Sequence, residues 1–225
     1  MSDAALAPSP RAARRARLWV ELLAFYAGAP VAMALAMPTD LLFPVVLALT
    51  AVGLALLRRT PGFAWRELTR GWSRIGWGRV AAMAAVTAAM GLALVLALRP
   101  WALFEPGRST PLLLLAILVL YPWLSALPQE ILFRPLFFRR YGTLLPRDPR
   151  AQVALNAAAF SLAHLLYWSW VVALLTFAGG LAFAHAYRVR RSFPEAVALH
   201  AAAGCALFAV GLGAWFYAGN ATRPF

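Results

Sequence analysis

From Val80 to Leu98 the chain reads VAAMAAVTAAMGLALVLAL, without one charged residue. Coiled as a helix at about 1.5 Å per residue, such a run is long enough to cross the roughly 30 Å of hydrocarbon in a bilayer. Similar runs recur along the 225 residues, and strand-type alternation is absent. Hydrocarbon offers the backbone no hydrogen-bonding partner, so a spanning chain must form helices or a closed barrel, and the missing alternation leaves helices. At 63% hydrophobic and only 13% charged residues, with a mean hydropathy of +0.71, the chain lacks the charged surface that a water-soluble domain needs. The expected fold class is therefore all-α, a polytopic helical membrane bundle of about seven (six to eight) transmembrane helices. Spans are expected at 18–37, 41–57, 80–98, 111–133, 151–168, 170–187 and 195–219. A polar arm, 1–17, precedes a single membrane domain, 18–225.

The net charge is +13, and all 21 basic residues are arginine. Such a balance would ordinarily suggest nucleic acid, but here the arginines sit between apolar runs, so they report topology instead. The arm and the segments 58–79, 139–150 and 188–191 hold 17 of them on one side, against Arg99, Arg108 and Arg223 on the other. Positive charge is retained on the cytoplasmic side, which places the N-terminus in the cytosol and the C-terminus outside. The expected location is a bacterial inner membrane, with membrane lipids as partners and no nucleic acid. RRARLWVELL followed by Ala34-Leu35-Ala36 imitates a signal peptide with a cleavage site, but the apolar run is too long and contains Glu21, so it reads as an uncleaved first span. In 58–79, Trp65, Leu68, Trp72 and Ile75 recur at helical spacing beside a stripe of Arg66, Arg70 and Arg74. That pattern predicts an amphipathic helix on the cytoplasmic face. The lone Cys205 rules out an intrachain disulfide and a cysteine zinc site.

Charges inside a membrane cost on the order of 2.5–3.5 kcal/mol each, so they mark candidate functional groups. The few here are Glu130 and Arg134, in LPQEILFRPLFFRRYG, with the histidines His164, His185 and His200. Glu130 and Arg134 are four residues apart on one helical face and can form an ion pair. Pro122 and Pro128 predict an interrupted helix that restarts at Pro128, with Glu130 near its positive end. Asn156, Phe160 and His164 share one stripe. His164 would lie about 20 Å from Ala151, too deep to meet Glu130 and His200, so either the fifth helix begins late, near Asn156, or His164 is not in the site; PRDPRAQ is poor membrane material and favours the late start. His185 lies near an interface and belongs to no motif. A carboxylate and two imidazoles on three helices can hold a water, with the carboxylate taking its proton, and the same set suits a divalent metal such as zinc.

Gln129-Glu130-Ile-Leu-Phe-Arg134, Phe160-Ser-Leu-Ala-His164 and His200-Ala-Ala-Ala-Gly204 together resemble the motifs of the CPBP family, the CAAX prenyl endopeptidases and Abi-type (bacteriocin-processing) intramembrane proteases. That family shows Glu-Glu-x-x-x-Arg, Phe-x-x-x-His, and a histidine followed four residues later by asparagine. The resemblance covers about 111–213. It implies a helical membrane fold with a catalytic water facing the cytosol, and hydrolysis of peptide bonds, with either a glutamate or a metal at its centre. It also assigns catalytic roles to Glu130, Arg134, His164 and His200, with Gln129 and Phe160 in support; Asn156, on the His164 stripe and outside these motifs, is a further supporting candidate. Two positions depart from the pattern. Gln129 replaces the glutamate usually assigned as general base and cannot accept a proton, which leaves Glu130 for that task. Gly204 replaces the last polar ligand, and Asn156 is a candidate to supply the amide.

The leading expectation is an intramembrane endopeptidase acting on membrane-tethered or lipidated substrates through a Glu130-activated water, so that Glu130→Gln abolishes cleavage without preventing folding. The alternative is a non-catalytic relative serving as a bacteriocin-immunity factor or membrane scaffold. A transporter with a Glu130–histidine proton relay is a third class, disfavoured because no internal repeat accompanies it.

Overall fold

The computed structural model describes residues 9–216, which contain helices and no strand. Seven helices form the bundle: α1 (Pro10–Ala36), α2 (Leu42–Arg58), α3 (Trp77–Leu98), α4 (Pro111–Arg140), α5 (Pro149–Leu162), α6 (Trp170–Arg188) and α7 (Phe193–Val210). Five of them, α1, α3, α4, α6 and α7, are long and apolar enough to cross a membrane, and α2 is a shorter apolar helix. The 14 residues of α5 would reach only about 21 Å, so α5 is a short helix held within the bundle.

Local chemistry explains the ends. Helix α1 reaches back beyond the expected start of the first span because Ser9 Oγ accepts from Ala12 N–H (3.3 Å) and Pro10 suits a first helical position. Four arginines therefore lie on its first turns. Helix α5 begins at Pro149, not near Asn156 as expected, because Asp148 accepts from the N–H groups of Arg150 (3.1 Å) and Ala151 (3.2 Å). Helix α7 stops at Val210 rather than 219, because Gly211 adopts φ +97° and its Cα lies against the Ala102 carbonyl, where a side chain has no room. Of the span expected to 219, residues 217–219 lie outside the described ones.

The segment 58–79 is not the continuous amphipathic helix that its spacing suggests. Two short 3₁₀ turns, Trp65–Leu68 and Trp72–Arg74, are separated by Gly71 at φ +86°. A left-handed residue ends a helix, and Pro61 and Gly62 before it and Gly76 after it add further breaks. Trp65 and Trp72 nevertheless remain exposed.

Every arginine-rich connection meets at one end of the bundle. Arg140 donates to Glu21 (2.6 Å) and to the Leu56 carbonyl (3.2 Å), tying α4 to α1 and α2. Arg139 reaches Glu67 (3.0 Å), and Arg188 reaches Gln152 (2.5 Å). Arg79 and Arg190 converge on the buried Glu195 at 2.8 and 3.2 Å. Behind this end lies the main core, in which Tyr26, Phe133, Phe137 and Tyr141 pack edge to face, with centroids 5.1–5.9 Å apart.

Candidate active site

The site is built on α4, which runs unbroken from Pro111 to Arg140. The expected interruption and restart do not occur. Pro122 and Pro135 instead fall in π-helical stretches, 122–126 and 132–140. Proline lacks an N–H and collides with the carbonyl four residues back, and the wider π turn relieves both problems without ending the helix. Glu130 lies in the α-helical turn between these stretches, not at a free helix end.

Glu130 and Arg134 are both fully buried. Arg134 grips the carboxylate with two hydrogen bonds, Nε to Oε2 at 2.7 Å and Nη2 to Oε1 at 3.1 Å. Its Nη1 donates to Asn156 Oδ1, and Asn156 Nδ2 donates to the Phe133 carbonyl at 2.7 Å. The guanidinium also lies 5.2 Å from the centre of the Phe160 ring and 5.8 Å from that of Phe183. A buried ion pair needs further hydrogen bonds to offset the loss of water, and this one has them.

His200, on α7, completes the surroundings of the carboxylate. Its Nδ1 lies 3.0 Å from Glu130 Oε1. An ionised carboxylate only accepts, so Nδ1 carries the hydrogen and Nε2 is the acceptor in the neutral ring. The Tyr121 hydroxyl, 3.2 Å away, donates to Nε2. The imidazole stacks on Phe183, with centroids 4.9 Å apart and planes 10° apart. Carboxylate and aromatic ring together fix its orientation.

His164 sits in the turn just beyond α5. Its Nδ1 lies 2.7 Å from the Phe160 carbonyl, which also assigns the hydrogen to Nδ1 and the lone pair to Nε2. No hydrogen bond to Nε2 occurs among the described residues. The Phe160 ring stands between the two imidazoles, 4.7 Å from His164 and 5.4 Å from His200. The depth conflict expected for His164 is thus resolved by the end of α5 reaching α7, with no shortening at its start.

These groups border a largely apolar cavity of about 900 Å³. Tyr121, Ser125, Gln129, His164 and His200 are on its wall, whereas Glu130, Arg134 and Asn156 are behind it. Neighbouring residues of a helix point about 100° apart, so Gln129 faces the cavity where Glu130 cannot. Its amide donates to Ser125 Oγ at 2.9 Å. Asn156 is committed to Arg134 and Phe133 and does not supply an amide to the cavity.

The expected metal set of Glu130, His164 and His200 does not fit this arrangement. Both oxygens of Glu130 and both nitrogens of His200 already have protein partners. Among the described residues no three His, Cys, Asp or Glu side chains gather as a metal site. Sequence reasoning also passed over Tyr121 and Ser125. Their signal was a hydroxyl on each side of Pro122 in an otherwise aliphatic run, since a buried hydroxyl needs a partner.

Residues 110–206 match the model of the Rce1-like type II CAAX prenyl endopeptidases. Over that segment the chain is similar to the CAAX-protease family. No curated protein and no solved structure matches the chain. The matched segment takes in α4, α5, α6 and most of α7, and so contains every residue of the Glu130–His200–Tyr121 arrangement, together with His164 and Gln129.

Proposed function

We propose that the chain is an intramembrane endopeptidase for membrane-tethered or lipidated peptides and proteins, in which His200, backed by Glu130, takes the proton from the attacking water. The observation that carries this reading is the continuous line from Arg134 through Glu130 to His200, ending on a lone pair at the cavity wall. Glu130 is sealed from the cavity and fully engaged, so it suits orienting the imidazole and facing the charge His200 acquires. His200 Nε2 takes a proton from water as the oxygen bonds to the scissile carbonyl carbon. The carbonyl π electrons move to its oxygen. The imidazolium then returns the proton to the amide nitrogen as the C–N bond breaks. His164 Nε2, with its tautomer fixed by Phe160, accepts from the water and holds it near the base. The apolar wall suits a lipid-bearing or membrane-embedded chain, and it reaches Asp40, Leu113 and Tyr167 at the end of the bundle away from the arginine-rich connections.

Purified protein in liposomes, supplied with a library of membrane-tethered and lipidated peptides, tests the proposal. The wild type is expected to release defined fragments by mass spectrometry, and His200→Gln to slow release by about 10²–10⁴-fold, the usual contribution of a positioned acid–base group. Equal rates in both proteins would remove His200 from the chemistry. One observation favours a second reading: Gln129 brings a neutral amide, not a carboxylate, to the site's cavity wall. A wild type that binds peptides of the library and cuts none would identify the chain as a non-catalytic immunity factor or scaffold.

A further inference from the structure

We propose that Tyr121 is a catalytic residue, the hydrogen-bond donor to the carbonyl oxygen of the scissile peptide, and that Gly204 is the residue that admits it to the site. The inference rests on the peptidase reading above and deepens it. Tyr121 is the last residue before the π-helical stretch at Pro122, and its ring leans from α4 across the face of α7. Gly204 lies one turn beyond His200 on α7, and the space over its Cα is filled by that ring, so a Cβ there would overlap the phenol. The ring is held edge to face by Phe208 at 5.6 Å and by His200 at 6.0 Å. These contacts bring the hydroxyl to the cavity wall, 3.2 Å from His200 Nε2.

The chemistry follows from donor and acceptor counting. With Nδ1–H committed to Glu130, His200 has one lone pair, and the Tyr121 O–H holds it in the resting site. A water that is to lose its proton to Nε2 must take the same lone pair. The phenol proton then loses its acceptor and, with Ser125 beside the hydroxyl, turns into the cavity toward the lone pair of the substrate carbonyl. As the water oxygen attacks, negative charge collects on that carbonyl oxygen, and the phenol hydrogen bond strengthens at the same moment. A donor aimed at charge that develops only in the transition state lowers the barrier without tightening substrate binding. Tyr121 keeps its proton throughout. The water proton alone travels, to His200 and on to the leaving amine.

The test uses the liposome assay with three proteins. Tyr121→Phe keeps the ring and its packing while removing the hydroxyl. It is expected to lower kcat by about 10²–10³-fold, the usual cost of deleting one such donor, with KM changed less than threefold. Gly204→Ala leaves the hydroxyl but displaces the ring, and is expected to lower kcat in the same way. A second readout does not depend on turnover. The chain has only three histidines, so ¹⁵N-histidine labelling resolves each ring. In Tyr121→Phe the His200 Nε2 resonance is expected to move while Nδ1 stays. Wild-type cleavage with Tyr121→Phe equally fast overturns the role of Tyr121 and leaves the peptidase reading standing. A wild type that cuts nothing overturns both. An unmoved Nε2 resonance overturns the resting hydrogen bond from which the proposal is argued.

Discussion

At the scale of single residues, Glu130 is a buried partner before it is anything else. It takes two hydrogen bonds from Arg134 and one from His200 and has no exposed surface. Removing one member of such a pair leaves a bare charge in a medium that cannot solvate it. Arg134→Ala is therefore expected to destabilise the protein by about 3–5 kcal/mol, measured by thermal unfolding in detergent. Glu130→Leu with Arg134→Met removes both charges together and should retain more stability than Arg134→Ala, yet still lose cleavage because His200 has lost its anchor. Glu130→Gln should lower both the cleavage rate and the melting temperature, since it leaves the Arg134 charge facing a neutral amide. The first of these effects follows from reading the sequence alone; the second needs the burial seen in the fold.

At the scale of elements, the ends of α5 decide where the site lies. Asp148 starts the helix well before Asn156, and its turn at Ala163 and His164 ends it beside α7. Asp148→Ala should cost about 0.5–2 kcal/mol through the two lost cap bonds, with unfolding again the measurement. At the end of α7, Gly211→Ala should cost at least about 1–2 kcal/mol, because a side chain is strained at that φ and also meets the Ala102 carbonyl. Apolar run length places most helices correctly. It fails at proline, where the same residue predicts a break in α4 and the structure instead widens the turn. It fails again at 58–79, where tryptophan and arginine spacing outweighs the glycines that prevent a helix.

At the scale of the whole molecule, the arginine distribution carries the expectation of orientation. The arginine-rich connections join through Glu21, Glu67 and Glu195 into one face. On a Cys205→Ala background, Arg70→Cys should react with an impermeant thiol reagent only in inverted membrane vesicles, and Arg108→Cys only in right-side-out vesicles. The opposite pattern would overturn the orientation read from the arginines.

The sequence by itself determined that this is a helical membrane protein, which connections share a side, and which motif residues to watch. Those properties depend on what each residue is and on its neighbours along the chain. Only the tertiary structure decided that Gln129 rather than Glu130 faces the cavity, that Asn156 serves Arg134, and that Tyr121 reaches His200 over Gly204. Each of those depends on how far one helix is rotated and how closely another approaches it. Rotation here is set by prolines absorbed into π turns, and approach by a single missing side chain; neither leaves a periodic trace in the order of residues.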